Sequence, residues 1–282
     1  MMMGNFQQPE YPVNAGAEWR DREMKLARDV QNRAFPATRP PIAGLDYYSD
    51  WRASSGLSGD YLDYFELPDG NLGLALGDVA GKGMAAALLA SALRSLARAF
   101  RHDRHGSLSE LTAAIDELFY ELCPDSSYAA MFVARYDAAR RLLYYVNAGH
   151  EPPMVLRKTG SGYHPVALEP TGPVMGMLRK SAFHEKVVSL APGDLVIAYT
   201  DGLCETTNAR GEEWGFRRLI ATVQACSYRK ARDMVERIFE TTEAFAGGSR
   251  QHDDATLWLG RIEETGCRTS RTEKRVELQA VA

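Results

Sequence analysis

The sequence predicts an α+β fold in which two stacked, mainly antiparallel β-sheets are flanked by pairs of helices. Strand patterns come in consecutive runs and helical patterns come in pairs, which does not suit the strict strand–helix alternation of a parallel sheet. The composition, 45% hydrophobic and 25% charged over 282 residues, is that of an ordinary globular chain. Strand-forming runs are bounded by Gly, Pro and Asp, so the turns are readable as well.

From Ala17 to Ala34 the pattern is helical, with a narrow apolar stripe of Trp19, Leu26, Ala27, Val30 and Ala34. That helix either lies on its own domain or pairs with a partner helix. Pro36, Pro40 and Pro41 stop it and force an extended connection. Strands are then predicted over 44–54 and 60–67, with Pro68 to Gly70 as a hairpin turn. In the next strand, over 72–79, Leu72, Leu74 and Leu76 share one face, with Gly73, Ala75 and Gly77 on the other. Helices follow over 84–101 and 108–122. Arg94, Arg98 and Arg101 read as a solvated stripe near the end of the first, favoured by the helix dipole. Strands over 128–137, 141–147, 152–158, 163–168 and a fully buried one over 195–199 come next. Helices over 216–224 and 229–245 and a last strand over 255–262 complete the pattern. The predicted organisation is a disordered 1–16, a linker helix and proline-rich connection over 17–43, a domain over 44–263 and a loose tail over 264–282.

The net charge of −4 gives no nucleic-acid footprint, and no apolar run reaches the ~18 residues a membrane span needs. Four cysteines without a CxxC pair disfavour a disulfide framework or a structural zinc. A cytoplasmic, reduced protein is expected.

The chemistry is carried by acidic strings at strand ends. Asp60 ends SSGLSGD, Asp78 opens GDVAGKG, Asp201 opens DGLCET, and Asp253 and Asp254 precede ATLWLG. Singly, each is ordinary turn or strand-entry chemistry. Gathered at one rim, they would repel by several kcal/mol unless hard divalent cations with oxygen ligands compensated them. Other chemistries fail. GDVAGKG has Leu76 and Gly83 where a Walker loop needs Gly and Ser or Thr, and Ala86 where a dinucleotide fingerprint needs Gly. There is no HCxxxxxR, GxSxG or HExxH. His150, in NAGHEPP, reads as a structural hydrogen-bonder. Cys204 reads as a small residue after a buried strand rather than a nucleophile.

In sequence order, SGDYLDYFELPDG, LGLALGDVAGKGMAAALLAS, YVNAGHEPPMVL, GDLVIAYTDGLCETTN, WGFRRL and DDATLWL resemble the metal-dependent PPM-type protein serine/threonine phosphatases. The likeness is to the bacterial branch that regulates sigma factors by partner switching, and it covers about residues 20 to 262. It implies a two-sheet sandwich with a binuclear Mg²⁺ or Mn²⁺ centre. By position, Asp78 bridges both metals, the Val79 carbonyl ligates one, and Asp201 and Asp253 serve the other. Asp60 supports the centre or holds a third, weaker metal, and Asp254 is a further metal-ligand candidate, ranked behind Asp253. The implied reaction is hydrolysis of phosphoserine or phosphothreonine by an activated hydroxide, with no covalent intermediate. The implied substrate is a small anti-sigma-factor antagonist. The linker helix is expected to pair in a homodimer through residues 17–34, under control of a separate partner or as part of something longer. Ala80 stands where some members carry a proton-donating His, and Arg52 lies near the phosphate-gripping Arg of others without being assignable to it. Rival readings are a catalytically weak phosphoprotein-binding module and a hydrolase of small phosphoesters.

Overall fold

The computed structural model describes residues 16–36, 39–54, 56–99, 106–124 and 127–264. Two five-stranded sheets face each other, every neighbouring pair antiparallel. With strands numbered in chain order, one sheet runs β1 (Leu45–Arg52), β10 (Ala255–Ile262), β9 (Leu195–Tyr199), β6 (Met154–Thr159), β7 (Gly162–Ala167). The other runs β2 (Asp60–Glu66), β3 (Leu72–Val79), β4 (Ala129–Asp137), β5 (Leu142–Ala148), β8 (Lys186–Ser189). Helices α2 (Met84–Ala99) and α3 (Leu108–Leu122) cover the second sheet; α5 (Gly215–Cys226) and α6 (Ala231–Ala246) cover the first.

Strand alternation builds the layers. Leu62, Leu72, Leu74, Leu76 and Phe132 point between the sheets and meet Tyr47, Val155, Val196 and Trp258 from the opposite one. Ala75, Met131 and Val133 point the other way, onto Leu93, Ile115 and Phe119. Ile115 and Phe119 have no exposed surface, and burying each contributes roughly 1.5–3 kcal/mol. The glycines of β3 make room on the outer face. Gly77 pairs with Tyr61 and Gly73 with Phe65, and an added Cβ would lie 2.2 Å and 2.6 Å from those rings. Each aromatic therefore lies across its glycine partner.

Some expectations need correction. β8 was not foreseen; it is a four-residue edge strand with little burial to mark it. Asp201 to Cys204 form a short helix, α4, for which no element was predicted. Arg94 and Arg98 are not a solvated stripe: they lie 3.5 Å and 3.0 Å from the buried carboxylate of Asp63 on β2. Arg101, Cys267 and the expected loose ends over 1–15 and 265–282 lie outside the described residues.

The N-terminal helix, α1 (Gly16–Ala34), docks through its polar side. Gln31 is buried; its amide donates to the Ser58 carbonyl at 2.7 Å and accepts from the Ser58 N–H at 2.8 Å. Arg28 donates to the Gly56 carbonyl at 2.9 Å, and Phe35 stacks on Trp51 at 4.1 Å. Trp19, Leu26 and Val30 are left 46%, 50% and 70% exposed. No helix among the described residues is long and apolar enough to cross a membrane.

Candidate metal centre

One end of the sandwich collects the acidic strings. Asp60 opens β2 and Asp78 is the last residue but one of β3, and the two are register partners on the face between the sheets. Across the gap, β9 ends just before Asp201, and β10 begins just after Asp254. The two sheets are joined there by Asp60, whose Oδ2 accepts the hydroxyls of Thr200 at 2.7 Å and Thr256 at 2.6 Å. The Thr200 and Thr256 backbones also bond each other at 3.0 Å.

Asp201 and Asp253 are brought together by Gly202. A Cβ at Gly202 would fall 2.1 Å from the Asp254 carbonyl and 3.0 Å from the Asp253 Cβ, so no other residue lets α4 lie this close to the 253–254 segment. The φ of Gly202 is not in the left-handed region; this glycine serves space rather than turn geometry. Gly59 plays a similar part beside Val79, whose carbonyl lies 3.1 Å from where a Cβ on Gly59 would be.

Asp253 and Asp254 are adjacent yet differently employed. Asp254 Oδ1 accepts the Ser54 N–H at 2.7 Å and its hydroxyl at 3.0 Å, and Oδ2 accepts the Gly59 N–H at 2.9 Å. Both of its oxygens thus hold the loop that leads into Asp60. Asp253 faces outward, its Oδ2 2.9 Å from Lys82 Nζ. Arg52 reaches the same rim as the partner of Ala255, but its guanidinium is held by Asp50 at 2.7 Å and Glu243 at 3.3 Å.

The electrostatics follow from this crowding. Burial, then the carboxylates of Asp201, Asp253 and Asp254, push Asp78 up to about 7. Burial and then Asp253 raise Asp201; burial and then Asp78 raise Asp60 well above the carboxylate range, against the pull of its two threonines. Such a rim offers hard oxygen donors and excess negative charge, which suits Mg²⁺ or Mn²⁺ and not a soft metal. Among the described residues no three His, Cys, Asp or Glu side chains are already grouped to hold one ion. The donors fit in kind and charge, without a closed cage.

His150 is buried away from this chemistry, its backbone N–H bonded to Asn147 Oδ1 at 2.8 Å and its Nδ1 2.8 Å from the Glu151 carbonyl. Cys204 is pushed up to about 12 by burial and then by Glu151 and Asp201, which keeps it a thiol. The sequence reading missed Thr200, Thr256, Gly202 and Lys82. Thr200 and Thr256 sit directly beside the DG and DDA strings, a signal that was present but has no meaning until the sheets are stacked.

Comparison with known proteins places this geometry. The family model described as stage II sporulation protein E (SpoIIE) matches residues 68–263, which include Asp78, Asp201, Asp253 and Asp254. Protein IcfG of Synechocystis sp. is 27% identical over 261 residues, covering 83% of this chain and 40% of its own length. Phosphoserine phosphatase RsbP of Bacillus subtilis is 29% identical over 194 residues, covering 66% of this chain and 46% of its own length. The chain thus spans less than half the length of these two relatives. The SiaA PP2C domain of Pseudomonas aeruginosa superposes with a TM-score of 0.75 at 19% identity, covering 89% of this chain and 100% of that one. Its likeness shows the fold, a PP2C sandwich. With well over half of its length matched by the family model, the chain belongs to the SpoIIE family.

Proposed function

We propose that this chain is a metal-dependent protein phosphatase that hydrolyses phosphoserine or phosphothreonine on a protein. The observation that carries the proposal is the convergence of Asp60, Asp78, Asp201 and Asp253 from four separate strand ends on one rim. Asp78, Asp201, Asp253 and the Val79 carbonyl are the proposed ligands of two Mg²⁺ or Mn²⁺ ions. When bound, such ions supply charge neutralisation at the phosphoryl oxygens and an activated water for in-line attack.

The remaining residues have supporting parts. Asp60, gripped by two threonines, locks the two sheets in register behind Asp78 and stands next to any third, weaker ion. Asp254 positions the 54–59 loop and is assigned no metal. Ala80 has no ionisable group to give a proton, so protonation of the leaving serine or threonine oxygen falls to water.

The RsbP relative is named a phosphoserine phosphatase, which supports the substrate class. The family membership supports a small anti-sigma-factor antagonist as the phosphoprotein, met in the cytoplasm. The exposed Trp19, Leu26 and Val30 share the outer side of α1 and support pairing of that helix in a homodimer while Gln31 and Arg28 hold it to its own domain.

The deciding experiment is release of phosphate from a phosphoserine protein and from p-nitrophenyl phosphate, with Mn²⁺ or with chelator. Activity is expected only with metal and is expected to fall at least a hundredfold in Asp78→Ala and Asp201→Ala. Hydrolysis that survives chelator or either substitution would sink the mechanism.

A further inference from the structure

Between Asp78 and α2 the chain makes a short loop that carries a cation, Lys82, beside the acidic centre. Gly81 and Gly83 flank Lys82 at φ +101° and +84°, and neither has any atom within 4 Å of where a Cβ would be. Conformation, not room, requires glycine at both places. The loop is fixed at each end: the Ala80 N–H donates to the Tyr128 carbonyl at 2.9 Å, and the Gly83 carbonyl accepts the Ala87 N–H at 3.1 Å in the first turn of α2. Lys82 is presented by this frame to the far side of the rim. Its Nζ lies 2.9 Å from Asp253 Oδ2 and donates to the His252 carbonyl.

We propose that Lys82 is a tethered counter-cation of the acidic centre, which holds Asp253 while no divalent ion is bound and yields it to an ion that arrives. The inference rests on the metal reading above. Lys82 Nζ and an ion on Asp253 Oδ2 compete for one oxygen, and a positive charge beside an incoming cation opposes it. The ammonium also ties the 79–83 loop to the 252–254 segment across the gap between the sheets. Lys82 is therefore a positioning residue that sets how much free metal the centre needs, and it stabilises the metal-free protein in particular.

The test is titration of the chelator-treated full chain with MnCl₂ by calorimetry, on wild type, Lys82→Met, Lys82→Arg and Asp78→Asn, with thermal unfolding of each in chelator and in saturating Mn²⁺. Lys82→Met is expected to bind Mn²⁺ about two- to fivefold more tightly, the fold-change that corresponds to an exposed ion pair removed. In chelator it should melt about 1–2 °C below wild type, and at saturating Mn²⁺ that gap should close. Lys82→Arg should restore wild-type behaviour in both. Equal or weaker Mn²⁺ binding by Lys82→Met, or a melting deficit that persists in Mn²⁺, overturns the inference while leaving the metal reading intact. Absence of Mn²⁺ binding by wild type itself, unchanged in Asp78→Asn, overturns the metal reading and the inference with it.

Discussion

Asp60 and Asp78 stand opposite each other on the β2–β3 ladder, and Asp60 turns its carboxylate across the gap to two threonine hydroxyls of the other sheet. Two carboxylates side by side would ordinarily be a defect in a ladder. Here one of them fastens the sandwich and the other is left for chemistry.

That division predicts an inversion of the usual ranking of charge and hydroxyl. A Thr200→Val, Thr256→Val double variant leaves a buried carboxylate without its donors and should lose about 2–5 kcal/mol in urea unfolding. Asp60→Asn, which removes the charge and keeps an acceptor, should lose less. A larger loss in Asp60→Asn than in the double variant would contradict the fastening role.

Asp253 and Asp254 should respond oppositely to removal. Asp254→Ala abandons three donors on Ser54 and Gly59 and should cost about 1–3 kcal/mol of metal-free stability. Asp253→Ala relieves repulsion on Asp78 and Asp201, forfeits a half-exposed ion pair and one part-buried bond from the Asp254 N–H to Oδ1, and should change metal-free stability by less than about 1 kcal/mol. In Mn²⁺-dependent hydrolysis, Asp253→Ala should be the more severe. Equal metal-free stabilities for the two variants would refute the division.

Gly202→Ala should behave as a backbone collision, because its methyl meets a carbonyl oxygen that no side-chain rotation can move. A loss of about 2 kcal/mol or more is expected, together with loss of phosphatase activity as Asp201 and Asp253 are pushed apart. Gly211→Ala has open space around it and a φ of +75°, so it should cost only about 1 kcal/mol of backbone strain and leave activity alone. Unfolding midpoints and rates of the two variants decide the matter.

His150 should make the fold acid-sensitive. Burial lowers it to about 4 from the ordinary 6.5, so the folded state binds fewer protons than the unfolded one between those values. The neutral imidazole's contribution is complete above pH 6.5 and is lost as pH falls towards 4, about 3 kcal/mol in all. The raised carboxylates at the rim tilt the curve the other way, so the comparison to make is between wild type and His150→Gln. The stability difference between them should shrink by that amount from pH 6.5 to 4; a difference independent of pH would show that the ring titrates normally.

The sandwich was legible because its strands alternate: Leu72, Leu74 and Leu76 declare the inner face and the glycines between them the outer one. The aspartates were legible because each follows or precedes a strand run. What the sequence hid are pairings made across great chain distances. Nothing near Arg94 and Arg98 announces Asp63 as their partner, so helix periodicity alone reads them as solvated. Gly202 follows an aspartate as turn glycines do, and only the approach of Asp254 gives its purpose. Lys82 sits in a string that fails the phosphate-loop pattern, and its role stays hidden because the carbonyl and carboxylate it meets lie far along the chain.

The docking of α1 has an evolutionary corollary. Gln31 and Arg28 read main-chain atoms of Ser58 and Gly56 and no side chain. The helix thus reads the path of the loop, and the loop must leave it room: a Cβ at Gly56 would lie 2.9 Å from Met24 Cε and 3.2 Å from Arg28 Nη2. Gly56 on one side of that contact and Gln31 on the other therefore have to change together or not at all.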